Sequence, residues 1–352
     1  RDPLWSRGLG DVYKRQFLTR TLGQLPLGVV LVSGTNGKTT TTRMVASMLS
    51  DLGLKVFTNP TGSNFVRGVV SALLTEVTLG GKLDADIAVL ELDEAYAVHF
   101  VKQVKPRYAL LLNVMRDQLD RFGEIDTTAK LLSHVAAATT GTVVLNREDP
   151  RIAALAAKAP AGTTVRYFGL ADDLRHYFPS DDDMATTVSV EGVAGPLPSA
   201  RTPLSPRSEL RGASTGTAEL PADVTLTAVG DHKATFQMDG QGYATDVKLE
   251  GVYNLYNAAA ALAVVRAVAA DAQAMFLPFE DALADSVDAD GADAGTETDG
   301  NGSHDAIDQA AADEILRAAG VSPRMIAFAH ATTQAMILSL IHISEPTRPE
   351  RI

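Results

Sequence analysis

One short segment, SGTNGKTT at Ser33–Thr40, constrains the fold of this 352-residue chain more than any other. It follows the apolar run Gly28–Ser33 and overlaps the start of Thr39–Leu52, where apolar residues recur at helical spacing. A glycine-rich turn between a buried strand and a helix presents backbone N–H groups at the positive end of the helix dipole, which favours anions. The segment therefore predicts a phosphate-binding loop between a strand and a helix.

The loop contains residue types that suit ATP and Mg²⁺ as cofactors. Lys38 is placed to reach the β- and γ-phosphates, and the hydroxyl of Thr39 is placed to help hold Mg²⁺. The loop departs from the general P-loop because Val32 stands where the first glycine is expected. The other predicted nucleotide-binding residues of the loop are Gly34, Thr35, Asn36, Gly37 and Thr40.

Strand-like and helix-like segments alternate from Gly28 to about Phe168. Further buried-strand candidates are Asp86–Leu92, Tyr108–Asn113 and Thr142–Asn146. Helical segments lie around them, at about Phe65–Leu79, Ala95–Lys102 and Thr127–Ala138. This alternation predicts an α/β fold with a doubly wound, mainly parallel sheet. Later segments predict an antiparallel edge followed by an Ala-rich helix, at Val224–Val229, Ala234–Met238, Ala244–Leu249 and Asn254–Ala269.

Changes in composition along the chain predict its domain boundaries. Residues 17–270 are predicted to form a central ATP-binding domain with an irregular insertion at about 180–222. Residues 271–314 are predicted to be an acidic linker, and residues 315–330 the start of a C-terminal domain that is largely missing. Residues 1–16 and 331–352 differ in character from the rest and are interpreted as non-native tails.

Charge and composition exclude several functional classes. The net charge of −12 arises in residues 280–314, which hold twelve Asp or Glu and no Lys or Arg, so nothing points to nucleic acid. The chain has no cysteine, which excludes disulfides and thiolate metal sites. The sequence shows no secretory signal, and we expect no transmembrane segment. A cytoplasmic protein is therefore expected.

The short GTNGKT form of the loop resembles that of the Mur ligase and folylpolyglutamate synthase superfamily. Further segments follow in the order expected for that superfamily, at Thr58–Asn64, Leu90–Ala95, Asn113–Glu124, Leu145–Pro150 and Gly251–Ala258. Taken together, they are most similar to the family of Mur-ligase-like subunits of lipid II isoglutaminyl synthase. The resemblance covers about Leu27 to Ala269, with gaps.

The resemblance implies roles for individual residues. Glu91, which ends a buried-strand run, is implied to bind Mg²⁺, and a solvated strand-end carboxylate is the alternative. Asn254 is implied to contact the adenine base with support from Asn257, although Asn at this place also suits a helix N-cap. The residues implied to lie towards the substrate are Asn59, Asn64, Asn113 and Asp117.

Some residues depart from the superfamily pattern, and the roles of two others stay open. Gln118 stands where many Mur ligases have a metal-site His, and Lys130 does not have the spacing of their carbamylated Lys. Both differences favour the amidating subunits over amino-acid-adding ligases. Asp93 and Glu94 remain open between function and helix capping. Without cysteine, the chain cannot form the four-cysteine zinc ribbon that is common in the amidating family.

The activity implied by the resemblance is ATP-dependent activation of the α-carboxylate of D-isoglutamate in lipid II. Ammonia from a separate glutamine amidotransferase subunit then gives D-isoglutamine. The alternatives are an amino-acid-adding ligase that acts on a muropeptide or on folate, and a non-catalytic nucleotide-binding protein. Because nothing after Met325 resembles the family's C-terminal domain, the chain by itself is expected to bind nucleotide weakly and to turn over little.

Overall fold

The computed structural model describes residues 15–59, 64–115, 124–177, 220–230, 232–248, 252–290, 317, 322–331 and 333–340. Its strands are β1 Val29–Ser33, β2 Val56–Thr58, β3 Ile87–Glu91, β4 Tyr108–Leu111, β5 Thr142–Asn146, β6 Thr164–Leu170, β7 Val224–Gly230, β8 Lys233–Met238 and β9 Gln241–Asp246. Its α-helices are α1 (15–22), α2 Lys38–Asp51, α3 Val66–Glu76, α4 Glu94–Val101, α5 Glu124–Ala138, α6 Pro150–Ala153, α7 Val252–Asp290, α8 Pro323–Ala329 and α9 Thr333–Ser339. Two 3₁₀ helices lie at Ala154–Lys158 and Asp172–Tyr177.

The described strands form one sheet in the order β2-β3-β1-β4-β5-β6-β7-β8-β9. Neighbouring strands from β2 to β7 are parallel, whereas β7, β8 and β9 pair antiparallel. This arrangement confirms the predicted doubly wound, mainly parallel sheet with an antiparallel edge. Strands β2 and β6 are not predicted from the sequence, because β2 has only three residues and β6 mixes polar with apolar residues.

Helices cover both faces of the parallel part of the sheet, so β1, β3, β4 and β5 are buried along their whole length. Successive residues of β1 enter different cores, as the strand geometry requires. Val30 and Val32 pack in a core with α2 and α7. Val29 and Leu31 pack in a core with α3, α4 and α5. Burial on both faces explains why these strands are continuous apolar runs in the sequence.

The connections from β1 and β3 diverge across the sheet. From β1 the chain passes through α2 to β2 on one side, and from β3 it passes through α4 to β4 on the other side of β1. A crevice at the carboxyl ends of the strands follows from this divergence, and open α/β sheets bind ligands at such a point. The predicted phosphate loop directly follows β1 and therefore lies at this crevice.

Helix α7 extends beyond the predicted Ala-rich helix. The sequence predicts a helix over Asn254–Ala269, but α7 continues to Asp290 and so includes the first part of the predicted acidic linker. The extension is rich in Ala and contains Leu and Glu, which favour helix. The remainder of the predicted linker, residues 291–314, lies outside the described residues.

The first part of α7 is long and apolar enough to cross a membrane, although the sequence predicts no transmembrane segment. Residues 252–275 meet that criterion by length and composition, with a mean hydropathy of 1.4. However, 67% of the apolar window is buried inside the protein, against α2 and the strands of the sheet. Residues 258–263, AAAALA, are fully buried. The hydropathy of α7 is that of a core helix.

Helices α8 and α9 lie where the sequence predicts the start of a C-terminal domain and a non-native tail. Their apolar residues and the residue that follows α9 join the core formed by α2 and α7, and these residues are Met325, Ile326, Phe328, Ala329, Met336, Ile337 and Leu340. Arg324 of α8 donates hydrogen bonds of 2.7 and 3.2 Å to the carboxylate of Asp86, which is only 3% exposed. Residues 322–331 and 333–340 thus pack on the central domain, while the boundaries of the domains stay predictions.

We expect Ala261→Leu to lower the free energy of unfolding by about 2 kcal/mol, because added methylenes in a filled core force neighbouring groups apart. Ala261 is fully buried on α7. Urea denaturation measures the effect. The control is Met275→Leu, at a side chain of the same helix that is 38% exposed, and it should change stability by less than about 0.5 kcal/mol. Equal stability of the two variants would contradict close packing of α7.

Candidate functional site

Two glycines shape the loop between β1 and α2. Gly34 and Gly37 have φ angles of 137° and 82°, which other residues rarely adopt. A Cβ atom on Gly37 would also lie 2.7 Å from Oδ1 of Asn257, so a larger residue would collide with that side chain. Among the described residues, no side chain caps the N-terminus of α2, which leaves its first N–H groups open to an anion. The geometry fits the predicted phosphate loop.

Helix α7 brings the two predicted adenine-site residues to this part of the molecule. Asn257 lies against Gly37, and Asn254 is one turn earlier on the same helix. The helix begins at Val252, so Asn254 is inside the first turn and is not the N-cap. The contact with adenine stays a prediction for both residues.

The side chain of Lys38 lies over its own loop. Its ammonium group donates to the backbone oxygens of Gly34 at 2.6 Å and Thr35 at 3.0 Å. The same group is 3.9 Å from Oε1 of Glu94, and the Lys38 side chain is only 14% exposed. These contacts hold a positive charge at the loop, where the sequence predicts that Lys38 meets phosphate.

The two predicted metal ligands are in direct contact. Thr39 Oγ1 donates a hydrogen bond of 2.8 Å to Oε1 of Glu91, although the residues are 52 positions apart in the sequence. Glu91 ends β3 and is only 6% exposed, which is at odds with the alternative of a solvated strand-end carboxylate. The fold therefore brings together an acidic oxygen and a hydroxyl oxygen beside the loop.

This pair of oxygens can be tested against the requirements of Mg²⁺. Mg²⁺ usually keeps several waters and is bound through one or two carboxylates together with substrate phosphates. Within the described ranges, no group of three or more His, Asp or Glu residues is arranged to hold a metal by itself. The residues present therefore fit a metal ion that is bound jointly with a triphosphate.

Asn59, predicted to contact substrate, is turned towards β3. Its Oδ1 accepts from the backbone N–H of Glu91 at 2.9 Å, and its Nδ2 donates to the backbone oxygen of Glu91 at 3.0 Å. Only 6% of Asn59 is exposed. The side chain thus fastens the residue that follows β2 to Glu91, whose carboxylate is predicted to bind the metal.

Asn113, also predicted to lie towards the substrate, makes a similar pair with the phosphate loop. Its Oδ1 accepts from the backbone N–H of Asn36 at 2.8 Å, and its Nδ2 donates to the oxygen of Asn36 at 3.1 Å. The backbone oxygen of Asn113 accepts from the N–H of Thr35 at 2.9 Å. The N–H groups of Thr35 and Asn36 therefore already have acceptors, and their predicted contact with phosphate stays untested.

The remaining predicted substrate residues are less defined. Asn64 is partly exposed just before α3, and its backbone oxygen accepts from the N–H of Asp93 at 3.2 Å. Asp117 and Gln118 lie outside the described residues. Lys130 is exposed on α5, and its spacing does not match that of the carbamylated Lys of Mur ligases. Substrate contact stays a prediction for all four predicted residues.

Asp149 and Asn146 also organise this edge of the sheet, although the sequence analysis gave them no individual role. Asp149 caps α6 by accepting from the N–H groups of Arg151 and Ile152, and it accepts from Val114 N–H at 2.7 Å. Asn146 donates to the backbone oxygen of Leu112 at 2.7 Å. The order Asp149-Pro150 is a helix-start signal that could have predicted the cap. The contacts to the chain after β4 could not be predicted from it.

Glu94, like Asp93, is a residue whose role the sequence leaves open between function and helix capping. It is the first residue of α4, and its side chain is only 12% exposed. The pKa of Glu94 is raised to about 7, first by burial and then by a hydrogen bond with Asp93, whereas the charge of Lys38 acts in the opposite direction. Glu94 is thus a partly desolvated carboxyl group beside the lysine of the phosphate loop.

The raised pKa of Glu94 has a consequence for stability. Since the pKa in the folded protein, about 7, exceeds the ordinary value of 4.5, the folded state holds a proton that the unfolded state releases between these pH values. The stability that this proton contributes is present below pH 4.5 and is lost as the pH rises through about 7.

Glu94→Gln cannot ionise, so its stability should not contain this pH-dependent contribution. We therefore expect the free energy of unfolding of the variant, relative to that of the unsubstituted protein, to increase by about 2 kcal/mol when the pH rises from about 4.5 to about 8. Urea denaturation at both pH values measures the difference. The control is Asp51→Asn, which removes an exposed carboxylate from the end of α2. A stability difference for Glu94→Gln that does not vary with pH would contradict the burial of this charge.

Comparison with known proteins is consistent with this geometry. The Mur ligase middle domain matches residues 32–193. The MurT subunit of the glutamine-hydrolysing lipid II isoglutaminyl synthase from Streptococcus pneumoniae is 32% identical over 70% of this chain and 54% of its own length. The MurT subunit from Staphylococcus aureus strain COL is 33% identical over 44% of this chain and 33% of its own length.

A weaker likeness extends to solved structures. MurF from Acinetobacter baumannii has a TM-score of 0.49 at 21% identity, with 73% of this chain and 44% of MurF covered. MurF from Thermotoga maritima in complex with ADP has a TM-score of 0.48 at 20% identity, with 72% and 47% covered. At this level of likeness neither structure bears on the activity of the chain.

The match to the middle domain and the identity with MurT confirm the resemblance that the ordered motifs indicate. The chain spans about half the length, 54%, of the Streptococcus pneumoniae relative and less of the others named here. Residues 32–193 of the chain therefore correspond to a Mur ligase middle domain.

Proposed function

We propose that the full-length protein is the ATP-using subunit of a lipid II-amidating ligase. It phosphorylates the α-carboxylate of D-isoglutamate in the stem peptide, and ammonia from a glutamine amidotransferase partner converts the product to D-isoglutamine. Both ATP and glutamine are cytoplasmic metabolites, so we place the reaction on the cytoplasmic side. The relatives named MurT, which are subunits of such a synthase, support this proposal.

The hydrogen bond between Thr39 and Glu91 is the observation that carries the proposal. It joins the first turn of α2 to the end of β3 and leaves two oxygens at the entrance of the phosphate loop. Lys38, held at the same loop, supplies a positive charge within reach of a bound phosphate. A purely structural strand-to-helix turn requires neither a buried carboxylate nor a partly buried lysine at this point.

The proposed reaction has two balanced steps. A carboxylate oxygen of the peptide attacks the γ-phosphorus of ATP, the bond to the β-phosphate oxygen breaks, and an acyl phosphate and ADP form. Ammonia then attacks the carbonyl carbon, the bond between carbon and the phosphate oxygen breaks, and phosphate leaves while nitrogen loses a proton. Mg²⁺, when bound, offsets negative charge on the phosphate oxygens.

The residues of the chain contribute mainly by position and charge. Lys38 neutralises charge that develops on the transferred phosphoryl group, and the N–H groups at the start of α2 add to this effect. Glu91 and Thr39, whose side-chain oxygens are joined by a hydrogen bond, would hold Mg²⁺ beside the phosphates. The chain has no cysteine to act as the nucleophile of a glutaminase, so ammonia is supplied by the partner.

An amino-acid-adding ligase is the second candidate, because ligases that add D-glutamate are also similar to this chain. The enzyme from Burkholderia vietnamiensis is 30% identical over 68% of this chain and 43% of its own length. Gln118 in place of a metal-site His and the exposed Lys130 favour the amidating reaction. The nature of the nitrogen donor distinguishes the two candidates.

We expect the full-length protein, combined with its glutamine amidotransferase partner, to amidate lipid II only when ATP, Mg²⁺ and glutamine are all present. Mass spectrometry of the stem peptide and measurement of ADP follow the reaction, and ammonium chloride should replace glutamine. ATP-dependent addition of an amino acid without glutamine would instead support the second candidate. The absence of both reactions in a complex that binds ATP would contradict ligase activity.

We expect Lys38→Ala to weaken the binding of ATP with Mg²⁺ at least about tenfold, because the ammonium no longer faces the phosphates. Isothermal titration calorimetry on the present chain measures the dissociation constant. The matched control is Lys130→Ala, which removes an exposed lysine from α5 and should leave binding unchanged. Equal affinity of Lys38→Ala and the unsubstituted chain would refute the role of the loop.

A further inference from the structure

We propose that Asn113 and Asn59 are positioning residues that hold the phosphate loop and the metal-binding carboxylate, respectively. The inference rests on the nucleotide site of the proposed function. It replaces the substrate contact that the sequence suggested for these two residues with a different role. Each side chain makes a reciprocal pair of hydrogen bonds with the backbone of one neighbouring residue.

The contacts of Asn113 fix the first half of the loop. Its side chain accepts from and donates to the backbone of Asn36, at 2.8 and 3.1 Å, and its backbone oxygen accepts from Thr35 N–H. The N–H of Met115 donates to the hydroxyl of Thr35 at 3.1 Å. The chain that follows β4 thus binds both residues that precede Gly37. It thereby sets the direction in which the loop enters α2.

The close approach of Asn113 also explains one of the glycines. A Cβ atom on Gly34 would lie 3.0 Å from the nitrogen and 3.1 Å from the oxygen of Asn113. The loop and the end of β4 are therefore in backbone contact. A change in the Asn113 side chain would act directly on the conformation of the loop.

The contacts of Asn59 fix the opposite side of the site. Its amide binds both backbone polar groups of Glu91, at 2.9 and 3.0 Å, and so fixes the peptide groups on either side of that residue. The side chain of Glu91 then receives the hydrogen bond from Thr39. Asn59 itself is 94% buried, given its exposed fraction of 6%, which leaves little surface for a substrate.

Only a side-chain amide can make these pairs. Asn offers one acceptor oxygen and one donor nitrogen in a fixed plane, matching the C=O and N–H of a peptide residue. Asp has the same shape but no donor, and Ala has neither group. The two residues act on different parts of the site, so their loss has different effects. Asn113 governs how the loop meets phosphate, and Asn59 governs how the carboxylate meets Mg²⁺.

The test measures binding of ADP to the present chain, first in EDTA and then with increasing Mg²⁺. We expect Asn113→Ala to weaken metal-free binding about tenfold, because the loop is no longer held. We expect Asn59→Ala to change the metal-free dissociation constant of ADP by less than about twofold. The Mg²⁺ concentration at which the affinity for ADP has risen halfway to its maximum should increase about tenfold. The matched control is Gln24→Ala, which removes an amide with two backbone contacts at a distant surface loop.

The isosteric variants Asn113→Asp and Asn59→Asp keep the acceptor and remove only the donor. They should shift the same quantity as the corresponding alanine variant, and they serve if an alanine variant does not fold. Unchanged binding of ADP and Mg²⁺ in folded variants would overturn the inference alone. The inference would also be overturned if the Asn113 and Asn59 variants changed the metal-free affinity for ADP and the required Mg²⁺ concentration to the same extent. Failure of the unsubstituted chain to bind any nucleotide would overturn the inference together with the ATP site of the proposed function.

Discussion

The burial of β1 between two parallel neighbours is the constraint on which the rest of the structure depends. Pairing with β3 on one side and β4 on the other leaves only the ends of β1 free of the sheet. Helices on both faces exclude water from these strands, so every side chain of β1 is apolar or hydrogen-bonded. The carboxyl ends of three strands therefore meet at one place, and polar groups there can be held by backbone contacts.

The site is an arrangement of opposite charges held at short range in partly desolvated surroundings. Lys38 lies near Glu94, while the hydroxyl of Thr39 bonds to Glu91. A phosphate and a metal ion of matched charge fit this arrangement, because each meets a group of opposite sign already oriented by the fold. This arrangement also removes water from the carboxyl group of Glu94, and burial raises the pKa of that group and so favours its protonated form.

Much of the fold could be predicted because its signals are local. Buried parallel strands are short apolar runs, so Val29–Ser33 and Thr142–Asn146 were identified within a residue of their bounds. The loop could be identified because Gly34 and Gly37 occupy conformations that other residues avoid. The short β2 and the mixed β6 lack such signals. Their structure depends on pairing with strands that are far away in the sequence.

The sequence by itself determined that a glycine-rich loop joins a strand to a helix, and it identified Lys38, Thr39 and Glu91 as candidates to bind nucleotide and metal. The tertiary structure decided which groups meet. It turned Asn59 and Asn113 towards the backbone of neighbouring segments and placed Asn257 against the loop. Residue type and spacing report local conformation, whereas hydrogen-bond partners across a sheet depend on strand order and register. These are set only when distant segments pack together.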